Sequence, residues 1–157
     1  MEDVKNENKV IKCDSLTEEE RIQINKQKKG NSESNSLHTG YVTFVNKWGA
    51  TMSEITIRHR RGNDKDCEES ITYHNLGEGK KTPQMEFAYQ TGLFSSFDYW
   101  WIKFTVVGNK YSIKDNFYCS VASDDNGYVT LTADGSNSEL NVEFDISNGC
   151  VVSINKM

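Results

Sequence analysis

Beyond residue 40 the chain alternates. Short runs of β-branched and aromatic residues are divided by Gly, Asn and Asp at intervals of about eight to twelve residues, the pattern of an all-β domain. Within each run apolar side chains recur at every second position, which assigns them to one face of a strand. Ile55 and Ile57 form one such set, and Met85, Phe87 and Tyr89 another. Trp100, Ile102, Phe104 and Val106 continue the pattern, followed by Phe117, Cys119 and Val121, by Val129 and Leu131, and by Leu140, Val142, Phe144 and Ile146. Strands are expected over 41–46, 54–61, 70–76, 84–90, 98–107, 110–114, 117–122, 127–133, 139–146 and 150–155. Gly108-Asn109, Asn126-Gly127 and Asp134-Gly135 each join two runs and supply the residues that tight hairpin turns demand. Pro83, the single proline, marks a loop entering a strand at a sheet edge. No helix-period segment follows residue 40, so an α/β nucleotide fold is excluded. The expectation is a two-sheet antiparallel β-sandwich over 40–157 with a C-terminal hairpin meander.

Residues 1–39 read differently. They carry Lys, Glu, Asn and Ser with few apolar positions and no aromatic, a composition that does not repay its ordering entropy, so a polar flexible arm is expected. Within it Ser15 or Thr17 is placed to cap a short helix over 16–28, with Glu18 or Glu20 three residues on and Gly30 as a stop. Leu16, Ile22 and Ile24 make no stripe at helical spacing, which predicts a solvated segment.

Charge narrows the function. A net charge of −5 and a pI near 5.2 exclude a general nucleic-acid binder, which needs a basic face to neutralise phosphates. The basic run Arg58-His59-Arg60-Arg61 splits between two faces and is followed by Asp64, Asp66, Glu68 and Glu69, so it reads as a solvated edge strand. No apolar stretch has the length of a membrane span and the first thirty residues are charged, so a cytoplasmic address is expected. There the four cysteines remain structural thiols, and neither their spacing nor that of His38, His59 and His74 is a zinc pattern. No cofactor is expected.

The most unusual local feature is aromatic: Phe94-Ser95-Ser96-Phe97-Asp98-Tyr99-Trp100-Trp101. Adjacent tryptophans on a strand point to opposite faces, so Trp100 in the core puts Trp101 and Tyr99 outside. Phe94 and Phe97 then sit at the rim of a possible ring platform for a protein, a sugar or a lipid headgroup, unless a loop or the Lys103 side chain covers it. Asp124, Asp125 and Asn126, with Asp134, reduce to ordinary turns, because the alternation of oxygen donors in a calcium loop is missing. The run 77–82 lacks the spacing of a phosphate loop and reads as a mobile connection. His59 and His74 are the candidate bases for a hydrolase, yet no strand-turn-helix elbow encloses a serine. The reading is a non-enzymatic binding module that engages a protein or glycan through Phe94, Phe97, Tyr99 and Trp101. The alternative is a membrane-binding, cytolysin-like sandwich that puts the same residues into a lipid surface.

The run 79–92, with its Thr82-Pro83 and Tyr89-Gln90-Thr91-Gly92, and then Asp98-Tyr99-Trp100-Trp101, resembles a small domain family named for its up-regulation in long-lived nematode insulin-receptor mutants. Val42-Thr43-Phe44-Val45-Asn46 is similar to the strand that opens that domain, and Asn116-Phe117-Tyr118-Cys119 with Gly149-Cys150 resembles one branch of it. The resemblance implies a β-sandwich and a contact between Cys119 and Cys150, as packed thiols or as a bridge, and it supplies no active site. In architecture alone the chain is similar to aegerolysin and actinoporin sandwiches, whose exposed loop aromatics the stretch 94–101 imitates.

Overall fold

The computed structural model describes residues 6–11, 13, 16–18, 20–22, 36–92 and 95–157, with the side chains of 6–11 excepted. It is a two-sheet β-sandwich, as the alternation predicts. Sheet A contains β1 (Asn6–Ile11), β4 (Glu68–Leu76), β3 (Met52–Arg61), β6 (Asp98–Val106), β7 (Asn109–Ser112) and β12 (Asn155–Lys156) in that spatial order, with β8 (Phe117–Tyr118) also paired to β6. Sheet B runs β11 (Cys150–Ser153), β10 (Glu139–Phe144), β9 (Tyr128–Asp134), β2 (Ser36–Lys47) and β5 (Met85–Thr91). All pairings are antiparallel except β2 with β9, which lie parallel with Tyr41 beside Tyr128.

The core fills the space between the sheets with the side chains that alternation assigned to it, except Ile146, which lies beyond the end of β10 and is 57% exposed. Phe44, Ile55, Phe87, Ile102, Leu131 and Leu140 are each 0% exposed, and burying each such side chain contributes about 1.5–3 kcal/mol. Trp100 joins them, its indole Nε1 donating to the Cys119 carbonyl at 2.8 Å.

Several features depart from the sequence expectation. The hairpin turn between β6 and β7 is Val107-Gly108, one residue earlier than expected, with both residues at positive φ (47° and 78°). Pairing Val106 with Asn109 leaves these two at the tip, and alternation alone does not fix which pair closes the loop. Asn126-Gly127 is no hairpin, because β8 lies in sheet A and β9 in sheet B, so the chain crosses the sandwich there. The hairpin at Gly135 and the next reversal do make β9, β10 and β11 a meander. The run 77–82 is anchored: Asn46 is fully buried and its side chain donates to the Leu76 and Ala50 carbonyls, while the Thr82 hydroxyl accepts from the Phe44 amide. Strand β3 is interior, between β4 and β6.

The stretch read as a solvated arm is docked wherever it is described. Its capping box is present, Thr17 N donating to Glu20 Oε1 (2.9 Å) and Glu20 N to Thr17 Oγ1 (3.2 Å). The other oxygen of Glu20 accepts from Ser96 Oγ at 2.8 Å and from buried Arg61 Nε at 3.3 Å. Strand β1 covers the edge of β4, and β2 begins at Ser36, ahead of the expected boundary. These long-range partners repay the ordering that composition alone does not. Cys13 and Cys67, expected as thiols, are bridged, and Cys119 and Cys150, expected in contact as packed thiols or as a bridge, form a disulfide; the Cα separations of 4.6 and 6.1 Å suit such bonds.

Candidate functional site

Strands β3 and β6 carry different chemistry on their two sides. Register pairs His59 with Trp100 and Arg58 with Trp101 on adjacent rungs. Odd-numbered β3 residues follow Ile55 and Ile57 inward, so His59 and Arg61 enter the interior while Arg58 and Arg60 stay on the outer face of sheet A.

On the inner side His59 is completely buried. Its Nδ1 donates to Glu69 Oε1 at 2.7 Å and its Nε2 to Asp98 Oδ1 at 2.8 Å, so both nitrogens carry protons. Burial alone would lower its pKa, but the hydrogen bonds it donates to Asp98 and Glu69 outweigh it and raise the value to about 9. The second oxygens of the carboxylates are also used, Glu69 accepting from the Ala88 amide of β5 and Asp98 from Val121 N. The ring packs against Phe87 and Trp100 at 4.6 and 4.8 Å between centroids. An imidazolium sealed from solvent and protonated at neutral pH is poorly suited to act as a general base. It joins the two sheets through Glu69. His74, the other candidate base, lies on the outer side of β4, facing away from it.

On the outer side the aromatic stretch forms a patch. Tyr99 and Trp101 face outward, opposite Trp100, as their parity predicts. Phe97 is 45% exposed and stacks on Tyr118, itself 56% exposed, at 4.9 Å and 15° between planes. Tyr99 pairs with Tyr118 across β6 and β8, their rings 6.0 Å apart. Trp101 is half-buried, and the Arg58 guanidinium, rather than Lys103, lies over its ring at 4.9 Å. Arg58 also pairs with Asp115 at 2.9 Å, and this hydrogen bond holds the Asp115 carboxyl below the usual range. Arg60 reaches Glu68 at 2.9 Å. The structure thus brings together Phe97, Tyr99 and Trp101, while Phe94 lies outside the described residues.

Three patch members escape a reading confined to the stretch 94–101: Tyr118, Arg58 and Arg60. The signal for Tyr118 was present, since Phe117, Cys119 and Val121 inward leave Tyr118 outward. That β8 pairs with β6 is a matter of topology, which local pattern does not specify.

The acidic residues near 124–134 organise loops. Asp125 accepts from the amides of Ala122, Ile146 and Ser147 and from the Ser147 hydroxyl, tying two loops together. Burial would raise its pKa, and these donors lower it below the ordinary carboxylate value. Asp134 caps the turn through Ser136 and Asn137. No helix among the described residues is long and apolar enough to cross a membrane. No protein-family model matches this chain, and no curated protein matches it.

Proposed function

We propose that the chain is a non-enzymatic binding module whose outer face on sheet A receives a protein partner. Phe97, Tyr99, Trp101 and Tyr118 act as anchors, and Arg58 and Arg60 flank them. The observation that carries this reading is the stacked pair Phe97, in the loop before β6, and Tyr118, on β8, two large rings about half exposed side by side. Aromatic residues beside arginine are the composition of energetic hot spots at protein interfaces. A sugar or lipid reading of this face is less well supported. Arg58 already covers one face of Trp101, Phe97 and Tyr118 cover each other, and three of the four rings, Tyr99, Trp101 and Tyr118, lie on strands rather than on a loop. Four paired cysteines favour folding in an oxidising compartment over the cytoplasm expected from the sequence.

The test compares wild type with a Phe97→Ser, Tyr118→Ala double variant in crosslinking from native extracts, with liposome co-sedimentation in parallel. A partner crosslinked at the patch and lost in the variant, at unchanged melting temperature, supports the reading. Identical crosslinks from both proteins overturn it, and a blue shift of Trp fluorescence with liposomes moves the function to a lipid surface.

A further inference from the structure

The outer face of sheet B carries a second aromatic pair. Tyr41 and Tyr128 sit side by side on β2 and β9, their rings stacked at 5.8 Å and 26°, and Tyr128 is 53% exposed. Because β9 lies between β2 and β10, Tyr41 covers Tyr128 from one side and leaves its other side toward β10. There a groove of about 400 Å³ opens, bounded by Tyr128, Thr130 and Glu143 on the strands and by Asp145, Ser147 and Asn148 on the loop after β10. Its volume lies in the range of small-ligand sites.

The wall of the groove is built in place. A side chain at Gly149 would collide with the Val142 carbonyl, so the loop backbone packs directly on β10 only because this residue is glycine. Asp125 holds Ile146 and Ser147, the Asp145 carboxylate accepts from Asn126 N at 3.0 Å, and the Cys119 to Cys150 bridge fixes the start of β11. Asp145 is therefore occupied, while Glu143 and Asn148 are exposed beside the ring. Register sets Glu143 directly across from Thr130, two rungs from Tyr128 on the same face.

We infer that this groove binds a neutral saccharide, with one pyranose face against the Tyr128 ring and hydroxyls bonded to Glu143, Asn148 and Thr130. An aromatic ring beside a carboxylate, an amide and hydroxyls matches a ligand with one apolar face and a rim of hydroxyl groups. The exposed carboxylate of Glu143 repels acidic sugars. The lining is too rich in hydroxyl and amide groups, and too poor in unpaired carboxylates, to select a basic peptide.

The site is distinct from the patch on sheet A, and the test keeps them apart. Labelled protein is applied to an array of immobilised neutral and acidic glycans as wild type, Tyr128→Ala, Glu143→Gln and Tyr118→Ala. The expected result is retention on a subset of neutral glycans, reduced roughly tenfold or more by Tyr128→Ala and by Glu143→Gln and unchanged by Tyr118→Ala. Both groove positions are exposed, so all variants are expected to melt with wild type. No retention on any glycan, retention confined to acidic glycans, or retention indifferent to Tyr128→Ala overturns the inference.

Discussion

Two cations lie against two indoles, back to back on the same pair of strands. His59 meets Trp100 at 4.8 Å inside the sandwich, and Arg58 lies 4.9 Å from Trp101 outside it. The distances are nearly equal, yet the consequences differ because of what surrounds each pair. The inner cation has no water and is neutralised by two carboxylates whose remaining oxygens are also bonded, so removing it strands both charges in the core. The outer cation is itself only 12% exposed, but its carboxylate partner Asp115 is 66% exposed, so removing it strands no charge in the core, and its attraction to the ring contributes about 0.5–2 kcal/mol. The burial of the carboxylates, not the contact geometry of the rings, decides which pair holds the fold.

The strongest way to break this contrast is His59→Leu. It leaves Glu69 and Asp98 unpaired in the core and is expected to cost about 3–5 kcal/mol, read as a lower denaturant midpoint. A midpoint close to wild type would mean that the carboxylates find other partners.

Next comes pH. His59 has a folded pKa of about 9, above its ordinary 6.5, so its contribution is fully present below pH 6.5 and fades as pH rises through about 9. The shift corresponds to about 3 kcal/mol, and the alkaline loss should be missing from His59→Gln when both proteins are titrated by urea unfolding. An alkaline limb that is the same in both would remove the imidazolium from the account.

A backbone change in the hairpin after β6 supplies a scale that involves neither pair. Val107 is 87% exposed and β-branched at φ 47°, and Val107→Asn creates the Asn-Gly turn favoured there. It should raise stability by about 1 kcal/mol in thermal unfolding; a loss would place the strain elsewhere.

The smallest loss belongs to Arg58→Ala. Its loss of the Trp101 contact and the exposed Asp115 pair should cost less than about 2 kcal/mol. A cost as large as that of His59→Leu would erase the distinction between the two sides.

Most strands were legible because alternation states which residues are inside, and the sandwich needs little more. The same rule extends from Ile55 and Ile57 to His59 and Arg61, so the buried imidazolium lay within reach of the pattern. A basic run nevertheless reads as surface until its partners are known. Glu69 is ten residues away and Asp98 thirty-nine, and only the pairing of β3 with both β4 and β6 brings them to one ring. The capping box of Thr17 and Glu20 is local and was readable. Its docking on Arg61 and Ser96 was not, since those contacts span 41 and 76 residues. Of the outer patch, Tyr99 and Trp101 followed from parity, whereas Tyr118 and Arg58 joined them through pairings across strands.

The parallel pairing of β2 with β9 also constrains the order in which the molecule assembles. Strand β2 ends at Lys47, but its neighbour reaches only to Asp134, so the centre of sheet B cannot close until most of the chain has left the ribosome. Until then β2 has no partner on that side, its backbone groups over 41–47 form an open sheet edge, and contacts of such long sequence separation form slowly. The oxidation of Cys119 with Cys150 is later still, because Cys150 follows both strands. Synthesis therefore carries an interval of about eighty residues in which the edge of β2 is open to pairing with another strand.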